Sequence, residues 1–269
     1  MEAYIYTILA ILGVLIGSFL NVVILRFDTG ASISRGRSKC FSCEKALKWY
    51  ELLPIVSFTV QKGRCRACLS KISWQYPLVE LLGAVAFPLA YKLSPGAFFD
   101  PLGTILFVLT AALLCLYIVI CVYDMRHKII PDLFSYSAAG VALAAVALEY
   151  FVVGGIDPLR LIAGPALFLF FFFFWAVSRG TWMGLGDAKL ALSIGLFLGL
   201  SQGITAVLMS FWIGAGLSLL VMLIQRITSR KGGLRMKSEV PFGPYMLIGF
   251  LIAFIWHIDM AAVISFLAV

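Results

Sequence analysis

A chain of 269 residues that is 62% hydrophobic and 13% charged, with a mean hydropathy of +1.02, carries far more apolar surface than a soluble domain of that length can bury. Membrane-spanning helices need about 20 apolar residues each, and the composition excludes a soluble globular enzyme in favour of an integral membrane protein. The net charge of +8 would suit an anionic partner, so its placement along the chain decides what it means.

Eight apolar runs are expected to span the membrane, at 4–25, 78–93, 103–123, 131–153, 158–178, 188–200, 204–224 and 244–268. No basic residue precedes the first run, so it reads as a retained span and not as a cleaved signal peptide. The fold class is therefore an all-α polytopic membrane protein of about eight helices with a small cytoplasmic loop domain. Its expected divisions are 1–25 (first transmembrane helix), 26–76 (cytoplasmic tetracysteine loop) and 77–269 (main transmembrane domain). The runs at 78–93 and 188–200 are short for a bilayer and suggest tilted or re-entrant segments.

The basic residues fall in alternate loops. Residues 26–76 hold ten of them, from Arg26 to Lys71, against Asp28, Glu44 and Glu51. Arg126 and Lys128 lie at 124–130, Arg179 and Lys189 at 179–189, and Arg226, Arg230, Lys231, Arg235 and Lys237 at 225–240. The loops at 94–102, 154–157 and 201–203 have no Lys or Arg. The positive-inside rule puts the basic loops in the cytoplasm and both termini outside. Orientation thus accounts for the charge, anionic headgroups are its expected contact, and no nucleic-acid partner is needed.

The 26–76 loop contains CFSC and CRAC, placing Cys40, Cys43, Cys65 and Cys68 in a C-x2-C…C-x2-C pattern. Two such pairs can close a tetrahedral zinc site, and four thiolates leave no open catalytic position. In a reducing compartment disulfides are the weaker reading, with a redox pair as the runner-up. A loop this short buries little core, so a structural metal would supply its folding energy. Cys115 and Cys121 lie inside an apolar run and read as small buried hydrophobes.

Four carboxylates sit at the expected cytoplasmic edge: Glu80, Asp124, Asp132 and Asp187. Ionisable groups at spans are costly and point to function. Asp132, following Pro131, also suits a helix first turn, as does Asp187. Asp124 has Arg126 and Lys128 nearby in sequence, and Lys189 either tunes an aspartate or anchors a helix end. Glu149, Asp157 and Asp259 lie toward the other side and read as solvated. Asp124 and Asp187 are at one depth on different spans. If packing brings them together, one keeps its proton while the other ionises. The ionised partner can activate water while the protonated one polarises a peptide carbonyl, which is aspartic peptidase chemistry. Gly184 and Gly186 would allow close approach beside Asp187. His127 and His257 lie at opposite expected faces and form no metal pair.

Six stretches in order then resemble one family, the bacterial prepilin peptidases or type IV leader peptidases. They are GSFLNVVILR (17–26), the two cysteine pairs with KGRCRAC (62–68), QYPLVELLGA (75–84), DMRHKIIPD (124–132), GLGDAKL (184–190) and PFGPYMLIGF (241–250). The resemblance implies a GxGD intramembrane aspartic protease with Asp124 and Asp187 as the catalytic pair. It implies cleavage of type IV prepilins or pseudopilins after a glycine, at the cytoplasmic face of the bacterial inner membrane. The long cysteine loop is similar to that of the bifunctional members, which N-methylate the new terminus with S-adenosylmethionine. Glu51, Gly63 and Glu80, in or beside that loop, are expected neighbours of the methyl-donor site. PFGP at 241–244 cannot continue a helix and is expected to form an irregular segment near the substrate. The alternatives are a peptidase whose zinc loop is purely structural, a proton-coupled transporter, and a scaffold without catalysis.

Overall fold

In the computed structural model, residues 2–94, 96–153, 158–227 and 241–267 are described. The expected loop at 154–157, with Asp157, and the basic loop from residue 228 to 240 lie outside them. Among the described residues, ten α-helices run in order: α1 (Glu2–Arg26), α2 (Val56–Val60), α3 (Gln75–Lys92), α4 (Pro101–His127), α5 (Asp132–Val153), α6 (Pro158–Ser178), α7 (Leu185–Leu198), α8 (Leu200–Ile227), α9 (Gly243–Trp256) and α10 (Met260–Leu267). Among the described residues there are no strands, only isolated antiparallel bridges at Lys39–Ala46 and Arg64–Lys71. The chain is an all-helical, multi-pass membrane protein. Among the described residues, five helices, α1, α4, α5, α6 and α8, are long and apolar enough to cross a bilayer, and α9 is a shorter apolar helix.

Each expected run falls on a helix, with one correction. The run 244–268 breaks at His257, whose φ of 50° is left-handed. Asp259 then restarts the chain, its Oδ1 accepting the Ala262 N–H at 2.8 Å as an N-cap of α10. A further boundary falls at Gly199, whose φ of +80° separates α7 from α8. Uniform apolarity conceals the break at His257, because hydropathy carries no record of backbone handedness; the α7–α8 boundary is as expected, but residues 201–203 belong to α8 and form no loop.

The chain forms two compact units, 1–119 and 120–269, with α4 beginning in the first and ending in the second. In the first unit α1 and α3 pack antiparallel. Tyr6 meets Tyr91 edge-on at 5.5 Å, Gly13 lies against Gly83, and Gly17 against Val79 and Glu80. Either of the Gly13–Gly83 pair would drive a Cβ into the other's backbone, so glycine here sets the interhelical distance. At the loop end the buried Asn21 locks the pair. Its amide donates to the Tyr76 carbonyl at 3.2 Å, and it accepts from Gln75 Nε2 at 3.2 Å.

In the second unit α6 and α7 are antiparallel, with Gly164 against Leu192 and Leu196, and Gly195 against Ala163. Arg160, inside an apolar run, is explained by its partners. It pairs with Glu149 and donates from Nη2 to the Phe197 carbonyl at 2.8 Å, capping the end of α7. Helices α8 and α9 also run antiparallel, Gly214 facing Tyr245 and Gly249 facing Ala206 and Ser210.

Candidate active site and metal centre

Asp124 stands in the last turn of α4 and is 4% exposed. Its Oδ2 accepts the Gly243 N–H at 3.0 Å, a bond between residues far apart in sequence. Gly243 is the first residue of α9, so the positive end of that helix faces the carboxylate. A Cβ on Gly243 would lie 2.7 Å from Asp124 Oδ2, so only glycine lets the amide come this close.

Asp187 is in the first turn of α7, where its Oδ2 accepts the Gly184 N–H at 3.2 Å. It is 8% exposed. It is near enough to Asp124 for one charge to act on the other. Ile130, buried in the turn between α4 and α5, packs between the two sites. A Cβ on Gly186 would stand 2.7 Å from Ile130 Cβ, and one on Gly243 3.4 Å from Ile130 Cδ1. Gly186 is therefore required by packing. Gly184 is not: its backbone is extended, and a Cβ there would make only ordinary contact. Sequence reasoning missed Ile130 and the Gly243 amide, although PFGP flagged the segment.

The flanking charges include one pair between helices. Lys189 pairs with Asp132 at 2.5 Å, across α7 and α5, and its ammonium lies 5.2 Å from the Tyr136 ring. Asp132 opens α5, as expected of a residue after Pro131. Lys189 is nearly buried while Asp132 is exposed, so Asp132→Asn leaves a cation stranded. That variant should lose about 1–3 kcal/mol of stability, and adding Lys189→Met should recover most of it. Thermal unfolding of the two single variants and the double variant reads the coupling.

The cysteine loop belongs to the first unit. The Sγ atoms of Cys40, Cys43, Cys65 and Cys68 all lie within 4.8 Å of one another, with Cys40 and Cys68 3.8 Å apart. A tetrahedral zinc with Zn–S bonds of about 2.3 Å needs S···S edges of about 3.8 Å, so the donors fit that ion. The two halves fold alike. Cys40 N–H donates to the Lys45 carbonyl and Glu44 N–H to Cys40, while Cys65 N–H donates to Ser70 and Leu69 N–H to Cys65. Glu44 and Leu69 hold matching positive φ values of 54° and 58°. The backbone N–H groups of Cys43 and Ser42 bring the Cys40 thiol down to about 6. Cys43 goes to about 11: the Lys45 N–H pulls it down, but desolvation and the neighbouring thiols overcome that pull. Four thiolates this close need a cation before all can ionise.

The three residues expected beside a methyl donor all have work within the first unit. Glu51 is buried, and its two carboxylate oxygens accept from Lys48 N–H at 2.9 Å and Lys45 Nζ at 3.2 Å. Those bonds, the Lys48 N–H first, hold its carboxyl below the usual range. Gly63 has a φ of +65°, and a Cβ there would meet the Phe58 ring at 3.1 Å. Glu80 Oε2 accepts the Ile55 N–H at 2.7 Å.

Comparison with known proteins accords with both regions. Residues 11–93 match the bacterial peptidase A24 N-terminal domain, and residues 111–219 match the type IV leader peptidase family. A prepilin leader peptidase/N-methyltransferase of Bacillus subtilis (strain 168) is 30% identical over 93% of this chain and 94% of its own. Proteins of the same name from Myxococcus xanthus (strain DK1622) and Dickeya chrysanthemi are 34% and 29% identical. They cover 80% and 89% of this chain, and 62% and 88% of their own lengths respectively. No solved structure matches the chain. With two buried aspartates in a helical membrane unit, a four-cysteine loop, and a relative 30% identical along nearly its whole length, this chain belongs to the type IV leader peptidase family.

Proposed function

We propose that this protein removes the leader peptide of type IV prepilins or pseudopilins, using Asp124 and Asp187 as the catalytic pair, and then N-methylates the new terminal residue. The observation that supports the reading is a pair of buried carboxylates on α4 and α7 that flank Ile130 and feel each other's charge, each holding one backbone N–H. In this reading substrate binding brings the two carboxylates to one scissile bond, where like charges favour a singly protonated pair. The ionised carboxylate takes a proton from water, which attacks the scissile carbonyl. The protonated partner donates its hydrogen bond to the carbonyl oxygen as negative charge develops there. Collapse returns a proton to the leaving amine and breaks the peptide bond. Family membership favours this chemistry over a transporter or a scaffold.

The substrate's apolar helix lies in the bilayer beside the spans, and its leader stays on the side of the basic loops. We place that side in the cytoplasm and the protein in the bacterial inner membrane. The support is the contrast between basic 26–76, 124–130 and 179–189 and the segments 94–102 and 199–203, the second spanning the α7–α8 junction, which have no Lys or Arg. Zinc, when held by Cys40, Cys43, Cys65 and Cys68, would supply folding free energy to the loop. S-adenosylmethionine, when bound, would supply the methyl group. Glu51, Gly63 and Glu80 serve methylation in this reading by holding the loop's shape, since Glu51 spends both carboxylate oxygens on the loop itself.

Gly243→Ala pushes a methyl group against Asp124 Oδ2 and displaces a reacting carboxylate. A shift of about 1 Å at such a group costs about a hundredfold, so kcat for cleavage should fall by about that factor with KM little changed. The assay for the whole proposal is the purified chain in vesicles with a prepilin, its products followed by intact mass. Leader loss without S-adenosylmethionine, and one added methyl group with it, is the expected result. An intact prepilin refutes the peptidase reading, and a processed but unmethylated one refutes the transferase reading.

A further inference from the structure

The segment from Trp49 to Val60 has an unusual surface for a loop. Trp49 is 75% exposed, Val56 55% and Val60 63%, and Leu52 and Leu53 are also exposed. These five fall at 49, 52, 53, 56 and 60, a spacing that in an unbroken helix would form one apolar stripe. The helix is broken, and the break is held in place. Ile55 has a φ of 60° and a ψ of −50°, at the centre of a γ-turn closed by Val56 N–H to the Pro54 carbonyl. A β-branched residue there is strained. Its N–H is gripped by Glu80 on α3.

That grip fixes the depth of the segment. Glu80 packs against Gly17 of α1, and α1 is a spanning helix that runs on to Arg26. At 1.5 Å per residue, Gly17 lies about 13 Å inside the end of α1. The strained turn is therefore tied at a level where α1 is already surrounded by lipid. Trp74, the cap of α3, is 76% exposed, its ring tilted against that of Phe58 at 4.9 Å. The surrounding chain is basic, with Lys48, Lys62, Arg64 and Arg66 close in sequence.

We propose that residues 49–60 form an interfacial lipid-binding segment, seating Trp49, Leu52, Leu53, Val56 and Val60 in the headgroup–acyl boundary of the bilayer that α1 crosses. Exposed apolar side chains with a basic surround, held at that depth, are the chemistry of an in-plane membrane anchor. The basic surround selects anionic headgroups. It disfavours a basic leader peptide as the occupant. The proposal rests on the membrane assignment alone and is independent of the peptidase reading.

The full chain would be placed in nanodiscs of phosphatidylcholine, with and without phosphatidylglycerol, each made with and without acyl chains brominated near the carbonyl. The difference in emission between wild type and Trp49→Phe isolates Trp49. Hydrogen exchange of residues 49–60 is read on the wild type, so that no variant's folding enters. Trp49 should be quenched by the brominated lipid. Exchange should slow by about fivefold per engaged basic residue when the anionic lipid is present, since each is worth about 1 kcal/mol. Unquenched Trp49 emission, or exchange indifferent to lipid charge, overturns the proposal. Trp49 that is unquenched by lipid but shielded once a prepilin is added also overturns it, by giving the segment to the substrate.

Discussion

Asp124→Asn and Asp187→Asn should each lower prepilin cleavage by at least about a hundredfold, while methylation of an already processed pilin continues. The magnitude is that of losing a positioned acid or base, about 10²–10⁴. Each amide is isosteric, but neither can pass a proton to or from water. The substitution also removes the charge that makes the pair asymmetric. Both residues accept one backbone N–H, Asp124 from Gly243 and Asp187 from Gly184. An asparagine Oδ1 can accept the same bonds, so the helix starts should remain in place and unfolding temperatures should move little. Cleavage by either folded variant at the wild-type rate would exclude the aspartic mechanism. A variant that loses cleavage and methylation together would point to a general folding defect.

Cys65→Ala should have the opposite signature: methylation falls by at least about tenfold, zinc is lost, and leader cleavage persists. The reason is the poverty of the loop's interior. Between residues 27 and 76, Glu51 and Cys65 are the only buried residues. A segment with so little core cannot offset its conformational entropy. A structural zinc contributes about 10–16 kcal/mol in small domains, enough to decide whether such a loop folds. Removing one thiolate also releases the twin turns from each other. Metal analysis, limited proteolysis of residues 27–74 and the two product assays test the outcome together. Unchanged zinc content would dismiss the site, and intact methylation without zinc would make it dispensable to the transferase.

The parts of this molecule that could be read from its sequence are those encoded locally. The apolar runs mark the helices, because lipid demands unbroken apolarity and leaves backbone pairing to the helix itself. The cysteine pairs announce a tetrathiolate cluster by spacing alone, and the structure brings their sulfurs together. Asp132 after Pro131 marks the start of α5. The parts that could not be read depend on remote partners or on backbone handedness. The Gly243 amide meets Asp124 across 119 positions of sequence, and no periodicity links them. Ile130 looks like any other apolar residue until Gly186 and Gly243 close on it. Lys189 is adjacent in sequence to the Asp187 motif, yet two residues along a helix point elsewhere, and its partner is Asp132. Gly184 shows the converse, a motif glycine whose own geometry does not require glycine.

Helices α7 and α9, which carry Asp187 and Gly243, have 14 residues each. At 1.5 Å per residue each is about 21 Å long, against a hydrocarbon thickness of about 30 Å. Helices of this length meet the bilayer with a mismatch of several ångströms, which lipid accommodates by thinning or headgroups by following the helix ends inward. If both helices sit in the bilayer, the α7 N-terminus that carries Asp187 and the α9 N-terminus that faces Asp124 are expected to begin beneath the ordinary water boundary. A soluble protease reaches its peptide by opening a cleft. On the proposed function, the shortness of two helices would bring water to the edge of the hydrocarbon, where a prepilin's apolar helix would end and its polar leader begin.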